Sequence, residues 1–250
     1  MIYTDLHVHS NFCDGNNSPE QIVLKAIELG AKQIGILAHS YTEFDEIGSM
    51  HVDKYKPFIN EVNRLKLIYA DKIEILVGIE QDSFTVTETK GFDYVIGSVH
   101  YFVKGDKYYS VDHDEKTFVE SVKNAFNGDY ILAAENYFET LSNIYELTNC
   151  DIVGHFDLVT KFNKNNKYFD ENCDRYVNAW QKTADALIKK DVIFEINTGG
   201  ISRGYKDNPY PSIAIYKYLK ERGAKFVFSS DAHDKDNLAF EFEKWRKIYN

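Results

Sequence analysis

Two histidines near the start of the chain are spaced so that they could bind one metal ion. His7 and His9 close an apolar segment, residues 2–9, that is predicted to be a β-strand. Side chains at positions i and i+2 of a strand point to the same side, so the two imidazoles face one way, about 7 Å apart along the strand. Asp14 follows on a loop and brings a carboxylate to the same end. Imidazole and carboxylate groups in this arrangement indicate a divalent metal site.

More histidines and acids lie where other apolar segments end. Strands are predicted at residues 2–9, 33–38, 73–79, 94–99, 151–154, 192–196 and 226–230. The polar residues that end or follow them are His7, His9, His39, Glu80, His100, His155, Asp231 and His233. Six of the eight histidines in the chain occupy such ends, a pattern that scattered structural histidines would not produce. The remaining two, His51 and His113, fall in helix or loop and need no special role.

Helices are predicted between most of these strands. Ser18 and Gln21 match a capping box with Pro19 at the first helical position, and Gly30 ends that helix. Further helices are predicted at residues 54–70, 116–126, 133–147, 172–190 and 212–222, with one more at the C-terminus. The segment between the third and fourth strands is short and threonine-rich, so a full crossover helix is not expected there. The alternation predicts an α/β fold with a parallel sheet, in which all carboxyl ends of the strands lie on one face.

Length and composition narrow the class of protein. A chain of 250 residues without linkers or repeats is expected to be one domain. The net charge of −10 disfavours a nucleic-acid partner, which would need a basic surface. Three widely spaced cysteines indicate a reducing compartment, and neither a signal peptide nor a membrane-spanning run is present. A cytoplasmic protein with no membrane partner is therefore expected.

The chemistry of the candidate ligands narrows the metal. Histidine and carboxylate groups without a thiolate suit Zn²⁺, Mn²⁺ or Fe and are poor for Ca²⁺ or Cu⁺. The nine residues exceed what one ion needs, so two or three ions are expected, with a carboxylate able to bridge.

The order and spacing of these residues resemble the PHP (polymerase and histidinol phosphatase) superfamily. The pattern His-X-His…Asp…His…Glu…His…His…Asp-X-His fills all nine positions of that family's metal site and extends over essentially the whole chain. Three segments resemble the histidinol-phosphate phosphatases within the superfamily: residues 97–100, 154–157 and 195–200. The sequence Tyr210-Pro211-Ser212 does so as well.

The resemblance implies a distorted (β/α)7 barrel, similar to a TIM barrel, with residues 1–250 forming one PHP-type metallophosphatase domain. It implies a trinuclear centre in which Glu80 bridges. One ion would take His7, His9, Glu80 and Asp231, the second Glu80, His100 and His155, and the third Asp14, His39 and His233.

The resemblance also implies a reaction, the hydrolysis of L-histidinol phosphate to L-histidinol and phosphate in histidine biosynthesis. The expected nucleophile is a metal-bridging hydroxide, because divalent ions lower the pKa of bound water and neutralise a phosphate dianion. Arg203, soon after the Asn-Thr-Gly-Gly turn, is expected to bind phosphate through its planar fork. Asp112 and Glu115 are the candidates for binding the amine or imidazole of the substrate. The sequence does not identify the general acid or the oligomeric state.

Three other functions remain open at this point. The same centre could serve another PHP phosphoesterase, a nuclease or a protein-tyrosine phosphatase. An amidohydrolase also begins with His-X-His, but its usual bridge is a carboxylated lysine rather than a glutamate such as Glu80. A metal-binding or storage module would hold ions without turnover, and the Arg203 loop disfavours it.

Overall fold

Seven parallel strands form the central sheet of the computed structural model, which describes residues 3–45, 48–84 and 87–249. The strands are β1 (Tyr3–His9), β2 (Ala31–Leu37), β3 (Glu74–Asp82), β4 (Tyr94–Ser98), β5 (Tyr101–Lys104), β6 (Lys107–Ser110), β7 (Ile152–Val153), β8 (Ile193–Asn197) and β9 (Lys225–Ser229). Strands β5 and β6 form a separate antiparallel hairpin, and the others pair in the order β1-β2-β3-β4-β7-β8-β9. All pairs in the larger sheet are parallel, as predicted.

The sheet curves into a nearly closed barrel because β1 also bonds to the segment that follows β9. The backbone N–H of His9 donates to Ala232 O at 2.9 Å, and the N–H of Ala232 donates to His7 O at 3.3 Å. Val8 and Ala232 form a parallel bridge at the same place. The predicted distorted seven-stranded barrel is therefore confirmed, and its two ends meet next to the histidines of β1.

Helices pack outside the barrel, mostly where they were predicted. They are α1 (Pro19–Glu28), α2 (Tyr55–Ile68), α3 (Glu115–Phe126), α4 (Tyr130–Leu141), α5 (Ile144–Thr148), α6 (Asp174–Ile188), α7 (Gly199–Ser202), α8 (Ile213–Glu221) and α9 (Phe242–Ile248). The predicted capping box is present at α1, where Ser18 and Gln21 exchange side-chain bonds with each other's backbone N–H and Pro19 is the first helical residue. Within the described ranges, no helix is long and apolar enough to cross a membrane.

The predicted helix over residues 133–147 was wrong, because the chain breaks at Ser142 and Asn143. Both side chains donate to the carbonyl of Glu139, Ser142 Oγ at 2.7 Å and Asn143 Nδ2 at 2.9 Å. These bonds satisfy a carbonyl at the end of α4, and they compete with the backbone hydrogen bonds that would continue the helix. The start of α4 was also missed, although Asp129 caps it by accepting from the N–H of Leu132.

Two differences concern the strands near the site. Strand β3 extends past Glu80 to Asp82, because Gln81 and Asp82 pair with β4 although their polar side chains suggested that the strand had ended. The β5–β6 hairpin was not predicted. Its turn includes Gly105 at a φ of 60°, a left-handed conformation that glycine adopts without strain, so the Gly-Asp pair in the sequence was an available signal.

The barrel interior is filled by apolar side chains from all seven strands of the large sheet. They are Leu6, Leu37, Leu76, Tyr94, Ile96, Ile152, Ile193 and Val227. The Tyr94 ring crosses the interior and its hydroxyl donates to the carbonyl of Leu6. Gly35 on β2 and Gly78 on β3 leave the space for this ring, since a Cβ at either position would collide with it. This packed layer forms the floor beneath the carboxyl ends of the strands.

Candidate metal centre

All nine predicted ligands meet at the carboxyl-terminal end of the barrel. His7 and His9 lie on β1 and Glu80 lies on β3, while the other six lie in the loops after β1, β2, β4, β7 and β9. Those six are Asp14, His39, His100, His155, Asp231 and His233. His7, His9, Glu80 and His155 are at most 2% exposed. The two histidines left without a role, His51 and His113, are exposed and absent from the cluster.

One group of ligand atoms surrounds the Oε2 atom of Glu80. His7 Nε2 lies 3.2 Å and His9 Nε2 3.5 Å from this oxygen. Asp231 Oδ1 lies 3.7 Å from His7 Nε2 and 3.6 Å from His9 Nε2. The four side chains therefore converge on one point from β1, β3 and the end of the last strand.

A second group surrounds the other oxygen of the same carboxylate. Glu80 Oε1 lies 3.1 Å from His155 Nε2 and 3.5 Å from His100 Nε2, and the two imidazole nitrogens are 3.2 Å apart. Ser98 Oγ donates to Glu80 Oε1 at 2.6 Å and orients the carboxylate. Glu80 thus presents one oxygen to each of two ligand groups, which is the geometry that a bridging carboxylate requires.

The third group lies toward the solvent. Asp14 Oδ2 is 3.1 Å from His233 Nε2 and 3.7 Å from His39 Nε2. His9 Nδ1 lies 3.7 Å from the other oxygen of Asp14, so both ring nitrogens of His9 face ligand groups. His39 Nδ1 is 3.1 Å from Glu80 Oε2, which joins this group to the first. The double placement of His9 could not be read from the order of residues along the chain.

Neighbouring nitrogen and oxygen atoms in these groups lie within 3.7 Å of one another and offer lone pairs to a cation when the imidazoles are neutral. His7 Nδ1 is 2.6 Å from Glu195 Oε1, so the proton of His7 belongs on Nδ1 and the lone pair of Nε2 points at His9 Nε2, 3.1 Å away. Burial and the neighbouring imidazoles of His233 and His39 hold the pKa of His9 well below its usual value. Glu80 Oε2 is buried without a hydrogen-bond donor among the described residues. Divalent cations fit this set because they supply the missing positive charge.

The charge of Glu80 is maintained by its surroundings. Burial alone would raise the pKa of this carboxyl group, but the imidazoles of His7, His39 and His100 hold the pKa well below its usual value. Cys13 lies beside the cluster, with Sγ 3.6 Å from His9 Nδ1. Burial raises the pKa of the Cys13 thiol. The groups of candidate ligands among the described residues contain only nitrogen and oxygen donors.

A second layer of acids orients the imidazoles. Glu195 on β8 accepts from His7 Nδ1 through Oε1 and from the backbone N–H of His155 through Oε2, the latter at 3.0 Å. Asn197 donates to Glu195 Oε2 at 3.1 Å. Asp82 lies 2.9 Å from His100 Nδ1 and plays the same part for the second group. Such partners fix the tautomer of a ligand histidine and raise its basicity.

Replacing Glu195 by glutamine is expected to weaken zinc binding about 10- to 100-fold. The amide keeps an acceptor for His7 but loses the charge that strengthens the Nδ1 bond. Zinc affinity should be measured by equilibration with metal buffers. At saturating zinc, the phosphatase activity of the variant should largely return to that of the unaltered protein. Glu221→Gln, an exposed change on α8, is the matched control. An unchanged zinc affinity would exclude a positioning role for Glu195.

A cavity of about 490 Å³ opens over the cluster. Arg203, at the end of α7, lies on its wall, with Nη2 2.9 Å from Asp231 Oδ2 and Nη1 donating to the backbone carbonyl of Asp231 at 2.8 Å. The structure therefore brings Arg203, the residue predicted to bind phosphate, to the candidate metal centre. Asp112 also lines the cavity, but Lys161 pairs with it, at 2.6 Å from the carbonyl and 3.2 Å from Oδ2.

The structure does not bring Glu115 to this cavity. It is the first residue of α3, where Lys167 Nζ donates to it at 2.7 Å and Tyr168 at 3.0 Å. The hairpin β5–β6 separates this helix from β4. Because the hairpin was not predicted, Glu115 was expected to follow β4 directly and to lie near the site. Several further lining residues were not predicted, among them Asp45, Tyr101, Lys161 and Tyr205. No strand end or motif in the sequence points to them.

Known proteins with similar sequences cover almost the whole chain. A probable histidinol-phosphatase of Schizosaccharomyces pombe is 25% identical, over 91% of this chain and 79% of its own length. The histidinol-phosphatase of Bacillus subtilis is 24% identical, over 96% of each protein.

Solved structures with the same fold agree over the same extent. A putative histidinol phosphatase from Listeria monocytogenes matches with a TM-score of 0.86 at 21% identity, over 97% of this chain and 99% of its own. A histidinol phosphate phosphatase from Lactococcus lactis, complexed with zinc, L-histidinol and phosphate, matches with a TM-score of 0.69 at 24% identity, over 100% and 93%. These likenesses establish the fold. The PHP domain family matches residues 5–199, and this chain therefore belongs to the PHP domain family.

Proposed function

We propose that this protein is a metal-dependent phosphomonoesterase that hydrolyses L-histidinol phosphate to L-histidinol and phosphate, in histidine biosynthesis. The observation that carries the proposal is the division of Glu80 between two imidazole groups, with Arg203 beside them on the wall of one cavity. The relatives named as histidinol-phosphatases, which match over 79% and 96% of their own lengths, support the choice of substrate. The Lactococcus lactis protein, complexed with L-histidinol and phosphate, supports it further.

The nine clustered residues would hold the metal in three sites. His7, His9, Glu80 and Asp231 form the first, Glu80, His100 and His155 the second, and Asp14, His39 and His233 the third. Zinc is the first candidate, with manganese and iron as alternatives that suit the same nitrogen and oxygen donors. When bound, such ions neutralise the phosphate dianion and lower the pKa of water to near neutrality.

The residues of the chain position the substrate around that centre. Arg203 has its guanidinium held by Asp231 and offers its remaining N–H groups to the cavity, where they can bind phosphate oxygens in two-point fashion. Asp231 is itself in the first ligand group, so the arginine places phosphate directly against the metal site. The packed interior below, which includes Tyr94, closes the barrel from the opposite side.

The direct test is phosphate release by purified, zinc-loaded protein. We expect kcat/KM for L-histidinol phosphate to exceed that for p-nitrophenyl phosphate, with no cleavage of a single-stranded oligonucleotide and no release from a phosphotyrosine peptide. A kcat/KM for p-nitrophenyl phosphate as high as that for L-histidinol phosphate would refute the substrate assignment. Oligonucleotide degradation would identify a nuclease instead.

Replacing Arg203 by alanine is expected to lower kcat/KM for L-histidinol phosphate about 100- to 1000-fold, because two charge-assisted bonds to phosphate are lost. Lysine at this position should recover part of the loss, since it keeps the charge but not the planar fork. Arg222→Ala, on the exterior of the barrel, is the control. Zinc content must be measured in parallel. Loss of zinc from the alanine variant would mean that Arg203 acts through Asp231 rather than on phosphate.

We also propose that residues 1–250 act as one PHP-type metallophosphatase domain in the cytoplasm. The three cysteines of the chain, Cys13, Cys150 and Cys173, are all free thiols, which supports a reducing compartment. The partner is a small phosphomonoester, and the net charge of −10 disfavours nucleic acid.

A further inference from the structure

Most carboxylates that line the cavity are already matched by positive or ligand groups. Asp14, Glu80 and Asp231 belong to the metal centre, and Asp82 faces His100. Asp112 is paired with Lys161. Asp45 remains. Over residues 3–45, 48–84 and 87–249, no lysine, arginine or histidine lies within ion-pair distance of its carboxylate. Among the residues that the structure describes, the cavity therefore has one carboxylate that lacks a cationic partner.

The carboxylate of Asp45 is held in a fixed orientation. Its Oδ2 accepts from the hydroxyl of Tyr101 at 2.7 Å, and its Oδ1 accepts from the backbone N–H of Gly48 at 3.1 Å. Its backbone is held too, because Ser49 Oγ donates to the Asp45 carbonyl at 2.6 Å. An ionised carboxylate has about four acceptor positions, so about two remain for a ligand. The arrangement is a preorganised acceptor without a charge partner.

The position of Asp45 relates it to the reaction centre. Asp45 and the candidate ligand His100 line the same cavity, and the hydroxyl that binds Asp45 belongs to Tyr101, the next residue after His100 in the chain. Aromatic rings surround this tyrosine: Phe44 at 5.0 Å and Phe84 at 5.4 Å, both edge to face. Tyr108 stacks on Phe44 at 4.5 Å. Phe44 and Tyr108 are themselves exposed, so a ligand held beside them by Asp45 would cover apolar ring surface.

We propose that Asp45 binds the cationic nitrogen of the substrate and so selects phosphomonoesters that carry a positive charge near the ester. The inference rests on the proposed function and moves the recognition role from Asp112 and Glu115, which lysines already neutralise, to Asp45. Tyr101 is the positioning residue. L-Histidinol phosphate has two groups with this chemistry, a protonated amine and an imidazole, and either can donate N–H to a carboxylate.

The test compares two substrates in the zinc-loaded protein. The measured quantity is the ratio of kcat/KM for L-histidinol phosphate to that for p-nitrophenyl phosphate, which has no cationic group. Asp45→Asn is expected to lower this ratio about 10- to 100-fold, mainly through KM for L-histidinol phosphate. Asp45→Glu should restore part of it. Asp106→Asn removes the same charge from the exposed turn of the β5–β6 hairpin and should leave the ratio unchanged.

Two analogues identify the recognised nitrogen. 2-Aminopropyl phosphate keeps the amine, and 3-(imidazol-4-yl)propyl phosphate keeps the imidazole. Whichever analogue loses kcat/KM in Asp45→Asn names the group that contacts Asp45, and either pattern supports the proposal. Tyr101→Phe keeps the ring but loses the hydroxyl, and it is expected to raise KM for L-histidinol phosphate about threefold at unchanged kcat.

Failure of this inference is distinguishable from failure of the proposed function. If the unaltered protein prefers L-histidinol phosphate and Asp45→Asn keeps that preference in full, Asp45 has no recognition role and the function stands. If the unaltered protein shows no preference for L-histidinol phosphate over p-nitrophenyl phosphate, the proposed function fails, and this inference fails with it.

Discussion

Replacing Glu80 by glutamine is expected to lower kcat/KM for L-histidinol phosphate at least about 1000-fold. One oxygen of Glu80 faces His7 and His9 and the other faces His155. A glutamine amide would turn its NH2 group toward one of these two groups of histidines. That NH2 group has neither a negative charge nor a lone pair with which to bind a cation. Steady-state kinetics should be paired with elemental analysis, which we expect to show loss of metal.

Glu74→Gln is the matched control for this change. Glu74 begins the same strand, β3, but is exposed and far from the carboxyl end of the barrel. We expect this variant to keep full activity and metal content. A Glu80→Gln protein that retains its metal and turns over within tenfold of the unaltered protein would show that Glu80 is not a bridge.

Removing the metal is expected to abolish phosphatase activity and to lower the thermal midpoint by at least about 5 °C. Without cations, the ligand groups around Glu80 and Asp231 no longer contribute the free energy of cation binding to folding. Dialysis against a chelator, then scanning calorimetry and phosphate release, measures both effects. Zinc added back should restore both.

The same chelator saturated with zinc beforehand is the control for non-specific effects. Elemental analysis of the restored protein is expected to give three zinc ions per chain, one for each ligand group, if Glu80 bridges two sites and Asp14 belongs to a third. Full activity in metal-free protein would contradict the proposed centre. A single ion per fully active chain would contradict its division into three.

Local patterns predicted most of the scaffold because local and tertiary preferences agree. The capping box at Ser18 and Gln21 was visible because its hydrogen bonds join residues three positions apart. The seven strands were visible because parallel strands covered on both faces are continuous apolar runs. The predictions failed where a polar residue serves the tertiary structure. At Asp82, for example, the side chain bonds to His100 while its backbone continues β3.

Substrate contacts were much less predictable than candidate metal ligands. Ligands recur at strand ends, and the topology of a barrel places all such ends on one face. Residues such as Asp45 and Lys161 lie in loops whose course depends on packing, so their type alone carries no signal. Asp112 and Glu115 were chosen for charge, and only the positions of Lys161 and Lys167 show that both charges are already paired.

By itself the sequence determined the kind of chemistry, the number of strands in the barrel and the residues that meet at their carboxyl ends. These properties follow from residue type and spacing, because alternating strands and helices place the carboxyl ends of all the strands on one face of the barrel. Only the tertiary structure decided how these residues are divided between the ligand groups and the substrate-binding wall. It is distance that gives Glu80 one oxygen for each of two ligand groups and turns both nitrogens of His9 toward ligand groups. Distance also leaves Asp45 without a cationic partner among the described residues. Such distances join residues far apart in the chain, and no local pattern encodes them.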